Sequence, residues 1–132
     1  MRYPDEDGDG FGDPAGGQHV CGAAPPGFVE NSFDCYDGNA DAHPDHLGHH
    51  VAHRGDGSFD YDCDGFESLE AARQATCGPW PGCETAGGKG TGWVGSFPAC
   101  GEEGAWMFDC DQRFLWTHCR QEVDRGRLAA CR

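Results

Sequence analysis

The chain has 132 residues, 37% of them hydrophobic, with 22 glycines, nine cysteines and a formal net charge of −14. That balance excludes a large apolar core, and the lack of any run of 18 apolar residues excludes a membrane-spanning helix. So many cysteines in so short a chain point to an oxidising compartment and a disulfide framework.

The charge is uneven. Residues 1–70 hold 16 of the 23 acidic residues and only two basic ones, Arg2 and Arg54, a net of −14; residues 71–132 hold seven of each and net to zero. Nucleic acid and anionic membrane are therefore not expected as partners of the first half, and divalent cations are. Two modules follow from this shift, an acidic loop module over 1–70 and a Cys-rich β module over 71–132. The opening Met1-Arg2-Tyr3-Pro4 is not a signal peptide, so a secreted precursor is expected to carry one upstream, or the chain is a segment of a longer secreted protein.

The first acidic stretch runs Asp5-Glu6-Asp7-Gly8-Asp9-Gly10-Phe11-Gly12-Asp13. Carboxylates at alternate positions followed by glycine match the front of an oxygen-ligand calcium loop, with ligands at loop positions 1, 3, 5, 7 and 9 and Gly at 6. Asp5, Asp7 and Asp9 take the first three, Phe11 offers its backbone carbonyl and Asp13 a carboxylate. Position 12 is Gly16 where an EF-hand has Glu, and no amphipathic helix leads in. The missing ligand must come from elsewhere.

Residues 14–33 read as loop, with Phe28, Val29 and Phe33 available to a small core. The turn-forming stretch after them carries Asp34, Asp37, Asn39 and Asp41, of which Asp34, Asp37 or Asp41 is expected to complete a cage. His46, His49, His50 and His53 stand at i, i+3, i+4 and i+7. On a helix they share one face and could take copper or zinc, though Pro44 and Gly48 argue against a helix.

The spacing recurs at Asp60, Asp62, Asp64 and Gly65, with Phe66 as the carbonyl donor. Asp56 is a further ligand or a turn former. Residues 67–76 read as a short helix, with Glu67, Glu70 and Arg73 at helical spacings and Ala71, Ala72 and Ala75 as helix formers, ended by Gly78-Pro79.

Beyond Cys77 come short candidate strands at Gly92–Val94, Ala105–Phe108, Arg113–Trp116 and Arg127–Ala130, flanked by Gly and Pro as in small hairpins. Trp93, Trp106 and Trp116 are expected in a core. Gly87-Gly88-Lys89-Gly90 reads as a hairpin turn. Six cysteines from Cys77 to Cys131 are expected to form three internal bridges. Of the others, Cys35–Cys63 would fasten the middle aspartates to the second acidic loop, leaving Cys21 for a link between chains.

The residues from Tyr3-Pro4-Asp5 through Cys21, Pro25-Pro26-Gly27-Phe28-Val29, Asp34-Cys35-Tyr36-Asp37, His43-Pro44 and Asp62-Cys63-Asp64-Gly65 resemble the putative metal-binding motif family, the MopE-type repeats of bacterial secreted and surface proteins. The loops also resemble thrombospondin type 3 calcium repeats. The tail, from Gly92-Trp93 to Cys131-Arg132, resembles the Cys-rich module that often follows. Where the family usually has a cysteine before its last acidic loop, this chain has Arg54-Gly55-Asp56-Gly57. The resemblance implies a metal-binding surface protein.

The expected fold is thus small, disulfide-rich and mostly irregular or β, a calcium-loop module followed by a Cys-rich β-hairpin module. The expected function is non-enzymatic: a secreted, extracellular or cell-surface structural or adhesive module, self-associating or bound to other surface proteins. No Gly-x-Ser-x-Gly elbow or His-Glu-x-x-His helix suggests a hydrolase. At least two Ca2+ ions are expected, one per acidic loop, and the first half is expected to fold only with them. The alternative is copper or zinc on the His46–His53 cluster.

Overall fold

The computed structural model describes residues 1–78, 91–112 and 119–132. The candidate turn at 87–90 and the candidate strand at 113–116, with Trp116, lie outside them. The protein is disulfide-rich, built of strands and irregular backbone with almost no helix. It divides into two compact units, Met1–Ser68 with Cys131–Arg132, and Leu69–Ala130.

In the first unit, β1 (Tyr3–Pro4) pairs antiparallel with β2 (Phe28–Val29), Tyr3 opposite Val29. Between them a 3₁₀ turn, Pro14–Gly16, starts from Asp13, whose carboxylate accepts from the Ala15 N–H at 2.8 Å. Proline opens the turn at the position where its missing N–H costs nothing. Phe33 stands exposed, against the expectation that it packs in a core.

Most of this unit is held locally by acidic and amide side chains folding back on the chain. Asp7, Asp9, Asp34, Asn39, Asp56 and Asp64 each accept from the N–H two residues on. Such turns need little hydrophobic burial, which suits a segment this polar. Covalent closure comes from Cys35–Cys63, with Cα atoms 5.6 Å apart, as the sequence suggested.

In the second unit, β3 (Gly92–Trp93), β4 (Glu103–Gln112) and β5 (Cys119–Leu128) form an antiparallel sheet in that order. The pairing slips between Gly104 and Trp106 and again between Met107 and Asp109. Such irregularities bend a strand and re-aim its side chains. Trp93, Trp106 and Ala129 form the core, with Leu69 and Ala71 packed against it. The two indoles meet edge to face at 5.0 Å, and the Arg127 guanidinium lies 4.0 Å over the Trp106 ring. Cys77 is bonded to Cys110, and Cys100 and Cys119 are disulfide-bonded as well, as is Cys131 of the first unit. Cys21 is free and exposed.

The expected helix over 67–76 does not form. Within the first unit, Ser68 exchanges backbone bonds with Arg132; within the second, the Glu70 N–H donates to the Ala130 carbonyl and Gln74 bridges to Trp93 in parallel. Ten residues are too few to hold a helix on propensity alone. Extended pairing satisfies the same N–H groups and also places Leu69 and Ala71 on the tryptophan core.

Candidate metal centre

The first acidic loop is folded by its own carboxylates. The Gly8 N–H donates to Asp5 Oδ1 at 2.8 Å, the Asp9 N–H to Asp7 Oδ1 at 3.3 Å and the Phe11 N–H to Asp9 Oδ1 at 2.7 Å. Gly10, with φ of +92°, takes the left-handed turn that a Cβ would strain. The result brings one oxygen from each of Asp5, Asp7 and Asp9 within 4.8 Å of one another. A cation with ligands at 2.3–2.6 Å spans a set of that size.

Two residues outside the loop hold it in place. Asn31 donates from Nδ2 to the Gly10 carbonyl at 2.8 Å and accepts the Gly12 N–H on Oδ1 at 3.2 Å. Asp37 accepts the Glu6 N–H at 2.7 Å. Asp37 also joins Asp7 and Asp34 in a second oxygen group of the same size. Asn31 was missed in the sequence, because no spacing links it to residues about twenty positions away.

The electrostatics of this cluster are unfavourable without a cation. Asp34 is 3% exposed. Its Oδ1 accepts from the Tyr36 N–H at 2.7 Å, while its Oδ2 is buried with no hydrogen-bond partner. Burial, then the charges of Asp9, Asp7 and Asp37, pushes the Asp34 carboxyl up to about 6 against the Tyr36 hydrogen bond. Asp9 is raised too, mainly by burial. Oδ2 of Asp7 and of Asp9 are likewise buried and unpartnered. Buried carboxylate oxygens without donors are costly, and the donor set consists of oxygens alone, so the residues fit a hard cation.

The second acidic loop repeats the geometry. The N–H groups of Asp64 and Gly65 each donate to Asp60 at 3.1 Å, and the Phe66 N–H donates to Asp64 at 2.8 Å. Asp60, Asp62 and Asp64 form a third oxygen group. Here a protein cation is already close: Arg132 Nε lies 2.8 Å from Asp62 Oδ2, an ion pair without the alignment of a hydrogen bond. Asp62 Oδ1 remains buried and unpartnered.

Other candidates lie elsewhere. Asp13 caps the 3₁₀ turn, and Asp41 sits on a turn closed by Asn39; neither joins an oxygen group among the described residues. The Phe11 ring stacks on His43 at 5.2 Å, whereas the Phe66 ring is exposed. Asp56 is a turn former: it accepts the Ser58 N–H, and its hydrogen bonds from Arg54 hold it below the usual carboxylate range. The Cys35 and Cys63 sulfurs lie near Asp34, but their disulfide leaves no thiolate to bind metal.

Of the four histidines, two converge. His46 Nε2 and His50 Nε2 are 2.8 Å apart, and the His50 ring stacks on Tyr61 at 3.9 Å. His53 Nδ1 accepts instead from the Gly55 and Gly57 N–H groups. Two nitrogens on one tetrahedral zinc would sit roughly 3.3 Å apart at the usual bond lengths. The observed spacing is that of a hydrogen bond. No histidine joins a three-ligand group among the described residues.

No protein-family model matches the chain, and neither a curated protein nor a solved structure is similar to it.

Proposed function

We propose that the chain is a calcium-stabilised structural module of a secreted or cell-surface protein, of the MopE-type repeat class, without enzymatic activity of its own. The observation that carries this reading is the buried, unpartnered oxygens of Asp7 and Asp9 inside a loop whose carboxylates already face one another. Two like charges a few ångströms apart cost on the order of 1–4 kcal/mol in a protein surface environment. A small domain has only about 5–15 kcal/mol of net stability. A divalent ion on Asp5, Asp7 and Asp9, and another on Asp60, Asp62 and Asp64, turns that repulsion into folding free energy. The disulfides favour an oxidising compartment.

Amide hydrogen exchange during a chelator titration tests the reading. Protection in residues 3–66 collapses when calcium is removed, and protection in residues 92–112 and 119–130 persists. Unchanged protection in the first segment would mean that the acidic loops are solvated turns. Copper or zinc on the histidines is the weaker reading. His46 and His50 supply two nitrogens, and such a site needs three or four donors. Elemental analysis of protein purified without a polyhistidine tag separates the two.

A further inference from the structure

Asp7 belongs to two oxygen groups at once, one with Asp5 and Asp9 and one with Asp34 and Asp37. A single ion with ligands at 2.3–2.6 Å reaches oxygens no more than about 4.6–5.2 Å apart. Each trio meets that limit, and among the described residues the two trios share Asp7 alone, with no group combining Asp5 or Asp9 with Asp34 or Asp37. The second arm also has its own evidence of a ligand. Asp34 is 97% buried and its Oδ2 has no partner, although Oδ1 is satisfied by Tyr36. Asp37 has one oxygen on the Glu6 N–H, which fixes the carboxylate beside the first loop.

We propose that Asp7, Asp34 and Asp37 hold a second calcium ion beside the one on Asp5, Asp7 and Asp9, with the Asp7 carboxylate shared between the two. The inference rests on the calcium reading of the first loop. Asp34 and Asp37 therefore do not complete the first cage; they build a neighbouring one. Charge supports two ions over one. Five carboxylates carry −5, which one divalent ion reduces to −3 and two reduce to −1. Oxygen-only ligation selects calcium over zinc or copper, and the nearby disulfide sulfurs cannot compete. The full chain then binds three calcium ions, two in this pair and one at Asp60, Asp62 and Asp64.

The test is a count of bound calcium by native mass spectrometry and calorimetry, on the whole chain stripped with chelator and titrated with calcium chloride. Three ions are expected for the unaltered chain, two for Asp37→Asn, two for Asp60→Asn and one for Asp7→Asn. Asp37 is partly exposed, so its variant is the least disturbing, and peptide mapping of the Cys35–Cys63 bridge checks that it has folded. A count of two for the unaltered chain overturns the shared site and leaves the calcium reading standing. A count of three that Asp37→Asn does not lower also overturns it. No calcium bound at all overturns both.

Discussion

His46 and His50 meet through their Nε2 atoms at 2.8 Å, so the pair holds one proton between them and cannot accommodate two imidazolium rings. Burial first, and then the charge of His50, lowers the tendency of His46 to protonate. Asp41 and Asp62 act against that shift. The fold thus favours neutral His46, and stability is lost as pH falls below the unfolded value near 6.5 and through the lower folded one. His50→Gln removes the opposing charge and leaves the burial. Its expected effect is a rise in the His46 titration midpoint by NMR; an unmoved midpoint would show that the two rings do not interact.

Asp34→Asn is expected to change sign with calcium. In chelator at pH 7 a buried carboxylate with one unpartnered oxygen opposes folding. A folded pKa raised to about 6 means that stability falls as pH rises from about 4 through 6. The full penalty is on the order of 3 kcal/mol. The amide avoids it, so the variant is more stable than the parent at pH 7.5, and the gap shrinks at pH 4.5, where Asp34 is neutral. In saturating calcium the variant is the less stable one. Denaturant melts of both proteins with and without calcium check this. His46 is present in both, so its titration cancels in the difference.

Breaking the Cys35–Cys63 bridge should loosen both acidic loops together. Asp34 precedes one cysteine, and Asp62 and Asp64 flank the other. The bridge spans 28 residues, and a loop of that length is worth about 3–4 kcal/mol in the chain-entropy model. The double variant Cys35→Ala, Cys63→Ala is expected to lose at least tenfold in calcium affinity by calorimetry. Full affinity in that variant would show that each loop organises itself.

Trp106→Ala removes one ring of the edge-to-face pair and the surface on which Arg127 rests. Aromatic truncations in a core cost about 3–5 kcal/mol. The expected result is loss of hydrogen-exchange protection along β4 and β5, with the calcium count unchanged.

Cys21 is the free, exposed thiol among the described residues. Alkylation of the native protein followed by peptide mapping should label it, and Cys21→Ser should abolish covalent dimers formed on mild oxidation. Dimers that persist would place the intermolecular link on another cysteine.

What the sequence made legible was local. The Asp-x-Asp-x-Asp-Gly spacings specify turns in which every carboxylate of the two trios but that of Asp62 accepts from a nearby N–H, and both trios form. Trp93 and Trp106 announced a core by residue type alone. The grouping of Asp7 with Asp34 and Asp37 was legible only in part, because it depends on the Asp37 hold on Glu6 across 31 positions. Helical spacing misled over residues 67–76, which lost their helix to extended pairing with residues 130 and 132 and with Trp93. Among the histidines, where Pro44 and Gly48 already argued against a helix, none forms; His46 and His50 meet across irregular backbone, and a Cβ on Gly48 would come within 2.7 Å of His46 Nε2.

The backbone pairing of Cys131 with His50, and of Arg132 with Ser68, has a consequence for synthesis. The first unit needs residues that the ribosome adds only after all of residues 69–130 have emerged. Until then the second acidic loop lacks the Arg132 guanidinium that faces Asp62 in the finished fold. On the calcium reading proposed above, an ion in the folding compartment would reach that loop before Arg132 does and would be the first cation available to Asp62.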